Sequence, residues 1–357
     1  MVRHGKCLNQ EREYKTEREV RCMREKMGFG IWGCGMVAKI HAEAIRNMEA
    51  ACLVGVADCR LSNSEKLAAE YGCGLYEDYE ALLQDPAIDV VCICTPSGCH
   101  AGDALLALSH KKHVILEKPM ALRIEDADAV VEAAEKSGCL LTVMSQLRFS
   151  EDVQRVKNLV EQDAFGKLVF CNLSMKYWRD PEYYASSSWR GTKAHDGGGA
   201  LMNQGIHGVD LLTYLVGDAV VRKGVVKTRM HAIEVEDTAA ALLEFKNGAL
   251  GMIEASTCAY PGFERRLEIH GDCGYVILKE NTLTELMVNG QMWKKEAETL
   301  KSGASDPANI GWYPHMLQME NMIRAIRGQE ALVVNAADGR RVLKLILDVY
   351  QSALSAL

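Results

Sequence analysis

Two polar side chains in the second half of the sequence have the types and spacing needed for acid–base chemistry. Asn203 and His207 are four residues apart in a segment whose apolar residues recur at helical spacing, so the pattern predicts that both project from one helix face. Oxidation of an alcohol requires removal of its proton, and histidine has the unperturbed pKa nearest neutrality. His207 is therefore a candidate general base, and a histidine that only satisfies a helix position is the alternative.

A glycine-rich turn in the first half has the spacing of a dinucleotide-binding fingerprint. The run Gly33-Cys34-Gly35-Met36-Val37-Ala38 lies between a predicted strand and a predicted helix, with small residues at the three fingerprint positions. The first glycine permits the bend, the second lets the backbone approach a pyrophosphate, and the small third residue lets the helix pack on the strand. The turn predicts a dinucleotide site, and a bare doubly wound fold is the alternative; its candidate cofactor-binding residues are Gly33, Gly35, Met36 and Val37.

An acidic residue follows the turn at the expected distance. Asp58 ends the second predicted strand about 20 residues after Gly35, where a carboxylate accepts hydrogen bonds from the adenosine ribose. An acid there repels a 2′-phosphate, which favours NAD over NADP. Cys59 and Arg60 follow at the same strand end, and because the Arg60 guanidinium can accept a 2′-phosphate, NADP stays the less favoured alternative.

The elements that must position these residues alternate between strand and helix as far as about Gln146. The pattern predicts a helix from about Met36 to Met48, and another over SNSEKLAAEYG with Ser or Asn in the cap position. Further strands are predicted over ACLVGVAD, IDVVCICTP, KHVILEKP and CLLTVMSQ, and further helices over HAGDALLALSHK and IEDADAVVEAAEKSG. This alternation implies right-handed βαβ units and a doubly wound parallel sheet, a Rossmann domain over residues 27–148.

After residue 150 the pattern changes to longer alternating segments separated by turn signals such as Asn247-Gly248 and Gly271-Asp272. These predict a large, open, mostly antiparallel sheet in a second α/β domain over residues 149–357. The helix that carries Asn203 and His207 is predicted from about Asn203 to Val216. Two more helices, about Pro314 to Arg327 and Ala336 to Ser355, end the chain and are candidates to pack back on the first domain.

Composition narrows the class of protein. The 357 residues are 48% hydrophobic and 25% charged with a formal net charge of −7, which is typical of a globular protein and argues against a nucleic-acid or anionic-membrane partner. No segment approaches the roughly 18 to 20 apolar residues of a membrane helix. Residues 1–26 form a charged extension without the apolar region of a secretory signal, and thirteen scattered cysteines are expected to be reduced thiols that bind no metal. We expect a cytoplasmic protein.

Four motifs together resemble the Gfo/Idh/MocA oxidoreductase family: the GCGMVA turn, CTPSGCHAGDALLAL, HVILEKPMAL and GGGALMNQGIHGVDLLTYLVG. The resemblance extends from Gly28 to the C-terminus. It implies an N-terminal Rossmann domain that binds NAD(P) and a C-terminal α/β domain that covers the nicotinamide and often forms the oligomer interface. It also implies substrates among sugars, sugar nucleotides and inositols.

The resemblance assigns further residues to the cofactor. It places Glu117 and Lys118 at the nicotinamide, with Lys118 also holding or polarising the substrate oxygen, and implies that the bond before Pro119 is often cis. A surface lysine, a helix-capping histidine and a domain linker are the alternatives for Lys118, His100 and Gln146. The additional cofactor residues that it implies are Thr95, Pro96, Ser97, His100 and Gln146. Trp189 and Arg190 are further candidates from their chemistry, since an arginine can bind a pyrophosphate or a substrate hydroxyl and a tryptophan can stack on a nicotinamide or sugar face. A Trp that only anchors a loop into the core is the alternative for Trp189.

The substrate is expected to contact residues of the second domain and its approach. Arg148 matches a position near cofactor and substrate, and Trp178 is taken from an aromatic cluster that is also compatible with a core. In the family an acid commonly precedes the catalytic histidine by four residues, and Asn203 cannot carry a proton, so an acid–histidine relay is in doubt here. Asp210, one turn after His207, is a candidate to orient the imidazole. The predicted catalytic residues are Lys118 and His207, and the predicted substrate residues are Lys118, Arg148, Trp178, Asn203, Gln204 and His207.

These assignments predict an NAD-dependent dehydrogenase that acts on a ring hydroxyl of a sugar, glycoside or sugar derivative. The stretch SSSWRGTKAHDGGGALMNQGIH resembles the sugar-nucleotide and glycoside 3-dehydrogenase branches, which implies oxidation at C3 to a 3-keto sugar. An inositol 2-dehydrogenase and a non-catalytic dinucleotide sensor are the alternatives. Apolar residues on both faces of the alternating strands between about Val220 and Leu286 predict a homodimer or homotetramer, since one helical layer cannot cover both faces.

Overall fold

A parallel sheet and a mostly antiparallel sheet form the core of the fold in the computed structural model, which describes residues 26–186, 189–295 and 311–355. The predicted N-terminal extension, apart from residue 26, lies outside the described residues. The first sheet comprises β1 Met27–Trp32, β2 Ala51–Ala57, β3 Gly74–Leu75, β4 Val90–Ile93, β5 His113–Leu116 and β6 Leu141–Val143. The second comprises β7 Leu168–Lys176, β8 Ala219–Lys227, β9 Thr238–Phe245, β10 Leu250–Ser256, β11 Arg266–Gly271, β12 Tyr275–Lys279, β13 Thr282–Val288 and β14 Gln291–Lys294.

Helices cover both sheets. In chain order they are α1 Met36–Arg46, α2 Leu61–Tyr71, α3 Tyr79–Gln84, α4 His100–Ser109, α5 Ile124–Ser137, α6 Glu151–Glu161, α7 Pro181–Ala185, α8 Ile206–Val216, α9 Tyr313–Ile326 and α10 Ala336–Leu354. The helix predicted over IEDADAVVEAAEKSG is confirmed as α5, and its final glycine, Gly138, adopts the left-handed conformation that ends it. The predicted Ser or Asn cap of α2 is wrong. That helix begins at Leu61, and Arg60 occupies the cap position.

The first sheet has the strand order β3-β2-β1-β4-β5-β6, and every pair in it is parallel. The chain runs outward from β1 through β2 to β3 and then returns to the other side of β1 with β4. This reversal is the topological switch point at which doubly wound sheets bind ligands, at the carboxyl ends of the strands. The predicted Rossmann fold is confirmed.

The second sheet has the order β14-β13-β12-β11-β7-β10-β9-β8. Its pairs are antiparallel except for β7 and β10, which run parallel, so the predicted mostly antiparallel sheet is confirmed. Side chains alternate in burial along β9 and β10 because one face packs on helices and the other is open. On the open face Val220, Leu242 and Met252 are 51%, 43% and 40% exposed.

The helix α9 packs against the first sheet, although it comes near the end of the chain. Met319 and Met322 lie in one apolar cluster with Phe29 and Ile31 of β1. The side-chain amide of Gln318 donates to the Val143 carbonyl at 2.9 Å, and its oxygen accepts from the backbone of Ser145 at 3.0 Å. These contacts fix α9 to the end of β6, the edge strand of the first sheet.

The segment of Asn203 and His207 differs from its prediction. Instead of one α-helix from Asn203, a π-helical turn spans Ala200–Gln204, Gly205 follows, and α8 begins at Ile206. The carboxylate of Glu236 stabilises the turn by accepting hydrogen bonds from the backbone N–H groups of Gly199 and Leu201 at 2.9 and 2.8 Å. Single π-helical turns are frequent at functional sites. Among the described residues, no helix is long and apolar enough to cross a membrane.

Candidate functional site

A cavity of about 1180 Å³ lies at the carboxyl ends of the parallel strands, between the two sheets. It is lined by every residue that the sequence predicts for the cofactor, and by Asn203, Gln204 and His207 from the predicted substrate set. Residues far apart in the chain therefore meet in one site of the volume that small ligands occupy. Arg148 and Trp178 are the two predicted substrate residues that do not line it.

The glycine-rich turn presents open backbone to this cavity. Gly33 has φ of +89°, and a Cβ there would come within 2.8 Å of Cys94, so the bend and its approach to β4 require glycine. A Cβ at Gly35 would meet nothing within 4 Å, which leaves space beside the N-terminus of α1. Ala38 is fully buried where the helix packs on the sheet. The turn therefore fits a pyrophosphate at a helix N-terminus.

The carboxylate of Asp58 is fixed by backbone donors. One oxygen accepts the Cys34 N–H at 2.6 Å and the other accepts the Arg60 N–H at 2.7 Å. Both bonds hold the carboxylate at the end of β2 and at the edge of the cavity, where the prediction places the adenosine ribose.

His100 links two loops of the cavity wall. Its ring nitrogens lie 2.6 Å from the Pro119 carbonyl and 2.8 Å from the Thr95 carbonyl, and the Lys118–Pro119 bond is cis. Burial lowers the pKa of His100, although the two carbonyls act in the opposite direction. Because both nitrogens face protein carbonyls, the imidazole positions the loops, while only its remaining surface faces the cavity.

Glu117 is buried in a polar cluster beside the predicted nicotinamide position. Its carboxylate lies 2.8 Å from Nε2 of His41 in α1, and the ring of His315 in α9 is 5.6 Å from that of His41. Burial alone would raise the pKa of Glu117, but the hydrogen bond and charge of His41 and the charges of His315 and Lys118 lower it to about 2. A negative charge is thus held next to Lys118.

Lys118 projects from the loop after β5 into the cavity. Its ammonium donates to the backbone carbonyl of Asn203 at 3.0 Å, which joins the first domain to the π-helical turn. Burial lowers the pKa of Lys118, while the carboxylates of Glu117 and Asp196 oppose that shift. The group is placed as a hydrogen-bond donor at the meeting point of the two sheets.

His207 lies in the first turn of α8 and is half-buried in the cavity wall. Burial, followed by the positive charges of Lys118 and Arg265, lowers its pKa to about 3. The imidazole is therefore neutral at physiological pH and has a nitrogen lone pair available to accept a proton.

Asn203 and Gln204 line the cavity from the π-helical turn. The side-chain oxygen of Gln204 accepts from Arg179 at 2.8 and 3.1 Å, and its amide donates to the Tyr183 hydroxyl at 2.7 Å. The Arg190 guanidinium stacks on the Tyr183 ring at 4.5 Å. Donors, acceptors and an aromatic ring converge here, as a polyhydroxylated ligand requires.

Gln146 is placed at the cavity as predicted. It is buried, and its Oε1 has no hydrogen-bond partner among the described residues. A buried acceptor without a partner is costly, so this atom is suited to receive a donor from a ligand.

Arg148 does not reach the cavity. It is 1% exposed, and its guanidinium donates to the Asp210 carboxylate at 2.7 to 3.2 Å and to the Val333 carbonyl at 3.2 Å. Its planar fork is occupied by a carboxylate from α8, so its predicted contact with substrate is corrected to a structural ion pair. Asp210 is engaged by Arg148, and orientation of His207 by Asp210 stays a prediction.

Trp178 is also displaced from its predicted position. It packs edge-on against Tyr260 at 5.3 Å, on the side of the strand extension opposite to the cavity. Its neighbours Tyr177 and Arg179 line the cavity instead. Successive residues of an extended chain point to opposite sides, so a shift by one position exchanges the predicted residue for its neighbours.

Several charged residues at the site were not predicted from the sequence, among them Arg179, Arg265, Glu280 and Asp196. Arg265, buried immediately before β11, lines the cavity, and its Nη2 lies 3.4 Å from Glu280. Asp196, immediately before the Gly197-Gly198-Gly199 run, is 2% exposed and is not among the residues that line the cavity. Its carboxylate accepts from the Asn203 amide, and its charge acts on Lys118. A buried Asp beside a glycine-rich loop has the same sequence signal as a loop cap, so its position could not be read from the pattern.

Comparison with protein families gives two matches. Residues 27–145 match the model of an oxidoreductase family with an NAD-binding Rossmann fold, and residues 153–277 match that of the GFO/IDH/MocA C-terminal domain.

Individual proteins resemble the chain over most of its length. A myo-inositol 2-dehydrogenase of Thermotoga maritima is 25% identical over 89% of this chain and 94% of its own, and a D-glucoside 3-dehydrogenase of Escherichia coli is 28% identical over 90% and 94%. The solved WlbA dehydrogenase of Chromobacterium violaceum, in complex with NADH and UDP-GlcNAcA, is 30% identical with a TM-score of 0.83 and covers 93% of this chain and 95% of its own.

Proposed function

The chain belongs to the Gfo/Idh/MocA family of NAD-binding oxidoreductases, and on that premise we propose that it oxidises a ring hydroxyl of a sugar, glycoside or sugar derivative, a reaction that is reversible in principle. The observation that carries the proposal is that His207, Lys118 and Gln204 line the same cavity as the glycine-rich turn. A neutral base, a cationic donor and a polar rim thus share one site with the dinucleotide turn.

We further propose that residues 27–148 hold NAD and that residues 149–357 hold the substrate. Gly33, Gly35 and the N-terminus of α1 suit the pyrophosphate, Asp58 suits the adenosine ribose, and Glu117 with Gln146 would stand beside the nicotinamide. NAD held there would supply the acceptor for the hydride that leaves the carbinol carbon. The protein supplies the orientation of the alcohol and a place for its proton.

In the proposed mechanism, His207 accepts the hydroxyl proton. The low pKa of His207 in the substrate-free cavity keeps its imidazole unprotonated. During the reaction, the negative charge that develops on the substrate oxygen raises the proton affinity of this imidazole. Lys118 donates a hydrogen bond to the same oxygen and stabilises that charge. Asn203 and Gln204 bind neighbouring hydroxyls without exchanging protons.

Oxidation at C3 to a 3-keto sugar is our preferred form of this proposal. The E. coli relative is a D-glucoside 3-dehydrogenase, and the Arg179, Tyr183 and Gln204 side chains offer several hydrogen-bonding groups to a glycoside. The second candidate is inositol 2-dehydrogenation, which is favoured by the likeness to the Thermotoga maritima protein over 89% of the chain.

The test is to mix the purified protein with NAD and a panel of glycosides, sugar nucleotides, free sugars and inositols. We expect reduced nicotinamide, measured by absorbance, with a glycoside or sugar nucleotide, and NMR of the product identifies the oxidised carbon. Turnover with inositols alone would establish the second candidate. Tight NAD binding without reduction by any member would contradict the dehydrogenase proposal.

We also propose that the open face of the second sheet forms a homodimer or homotetramer interface. Val220, Val225, Leu242, Leu250 and Met252 expose apolar surface on this face, and such a patch is unfavourable in water. Light scattering at micromolar concentration is expected to give a multiple of the 39.5 kDa chain mass. A monomer under these conditions would exclude the interface.

A further inference from the structure

Asp196 is a buried carboxylate close to the reacting groups, and no role has been assigned to it above. It lies between Trp189 and the π-helical turn, where one oxygen accepts the Gly191 N–H at 2.8 Å and the other accepts a short hydrogen bond from the Asn203 amide. The backbone carbonyl of Asn203 in turn accepts a hydrogen bond from the Lys118 ammonium at 3.0 Å. A continuous set of contacts therefore runs from Asp196 through Asn203 to Lys118.

We propose that Asp196 is a positioning residue whose negative charge keeps Lys118 an ammonium donor and whose hydrogen bond fixes Asn203 beside it. The inference rests on the role proposed for Lys118 in alcohol oxidation. It assigns to Asp196 an action on the lysine and not a direct contact with substrate.

The hydrogen bonds alone do not explain a carboxylate at this position. An asparagine could accept the Gly191 N–H and, with its amide facing a reoriented Asn203 side chain, complete the second bond. A carboxylate costs more to bury than an amide, and burial indeed raises the pKa of Asp196. The charge therefore requires a cationic partner, and the cations that act on it are Lys118 and Arg190.

Lys118 receives opposing influences from several elements. Glu117, which follows β5, and Asp196 from the loop favour its charged form, whereas burial favours its neutral form. The charge of Lys118 in turn lowers the pKa of the neighbouring His207 of α8. His41 of α1 and His315 of α9 face Glu117, and both lower the pKa of that carboxylate.

Of the two carboxylates, Glu117 is already paired with His41 at 2.8 Å. Asp196 has only neutral hydrogen-bond partners in the described structure, the Gly191 N–H and the Asn203 amide. Both carboxylates favour the charged form of Lys118, Glu117 more strongly than Asp196, and Asp196 is the one that also holds Asn203.

The test is the apparent pKa of Lys118, measured by competitive acetic anhydride labelling and peptide mass spectrometry as a function of pH. Because this readout requires no turnover, it is independent of the substrate. An opposite charge at short range shifts a pKa by about 1 to 3 units, so D196N is expected to lower the apparent pKa of Lys118 by at least about one unit. In the same variant kcat falls more than KM changes, and the alkaline limb of kcat moves to lower pH.

Glu236 offers a matched control. It holds the same π-helical turn through Gly199 and Leu201, is also buried, and is bonded to the Tyr350 hydroxyl at 2.9 Å. E236Q removes a carboxylate from the turn without removing the one that faces Lys118, so the apparent pKa of Lys118 is expected to stay unchanged. The exchange variant D196N/N203D moves the carboxylate to the neighbouring position and is expected to restore the pKa.

An unchanged Lys118 pKa in folded, NAD-binding D196N would overturn the inference, as would an equal shift in E236Q. If D196N does not fold, N203D takes its place, since a second carboxylate beside Lys118 should raise the pKa, and no rise would again overturn the inference. Silence of the wild-type protein toward the sugar panel, with the labelling shift intact, would instead refute the proposed function alone.

Discussion

The two halves of the cavity are built by different means. The cofactor half is formed mainly by backbone groups. Gly33 and Gly35 form the turn, and two backbone N–H groups bind the Asp58 carboxylate. In the substrate half, side chains from separate elements bond to one another, as Gln204 does with Arg179 and Tyr183. A backbone site tolerates sequence change outside a short motif, whereas a side-chain site changes with every residue, which allows one cofactor to serve many substrates.

The largest effect expected from this division is a loss of chemistry without loss of cofactor. His207→Ala and Lys118→Ala are each expected to lower kcat by about 10² to 10⁴, because each removes a positioned proton-transfer or oxyanion-stabilising group. NAD affinity, measured by fluorescence titration, should stay near the wild-type value. If His207→Ala kept most of its turnover, Lys118 or another group would have to be the base.

A second variant distinguishes a structural role of Arg148 from a role in substrate binding. Arg148→Ala leaves Asp210 buried without its partner, and breaking a buried ion pair costs about 3 to 5 kcal/mol of the free energy of unfolding. Denaturant titration measures this loss, while KM for the sugar in the remaining folded protein should change little. A raised KM with undiminished stability would return Arg148 to the substrate site.

In the cofactor half, Asp58→Ser is expected to weaken NAD more than NADP. The lost ribose hydrogen bond costs about 1 to 3 kcal/mol when its partner is left unpaired. Kd values for both cofactors, measured side by side, provide the internal control, since a general distortion of the turn weakens them equally. Equal losses would mean that Asp58 does not bind the ribose.

The smallest expected effect is a change in kcat/KM, and two nearby aromatic residues test it. Tyr183→Phe removes the hydroxyl that accepts from Gln204, and a net loss of about 0.5 to 1.5 kcal/mol should lower kcat/KM by about 2 to 10-fold. Trp178→Phe, outside the cavity, is the matched control and should stay within about twofold of wild type. A larger effect at Trp178 than at Tyr183 would reverse the assignment of the two faces.

The same division determines what could be predicted from sequence. The parallel sheet, the open antiparallel sheet and the turn at Gly33 follow from local periodicity and from glycine positions that only one backbone geometry satisfies. Trp178 was misplaced because alternation identifies which residues share a side but not which side faces the cavity. The partner of Arg148 lies 62 positions away, and no local pattern encodes such a contact.

His207 and Asn203 illustrate both outcomes. Their shared cavity was predicted from helical spacing, yet the intervening π-helical turn depends on Glu236, which lies 35 to 37 residues away. Asp196 was missed for the same reason, because its significance comes from facing Lys118 across the two domains.

The attachment of α9 to β6 has a consequence for how the chain is made. Synthesis proceeds from the N-terminus, so β1 leaves the ribosome long before Met319 and Met322. These two methionines belong to the apolar cluster that contains Phe29 and Ile31 of β1. The Gln318–Ser145 bond closes a loop of 173 residues, and contacts of such separation form slowly. Until α9 emerges, this apolar surface of the nascent dinucleotide half stays uncovered. The half of the molecule that is made first is completed last.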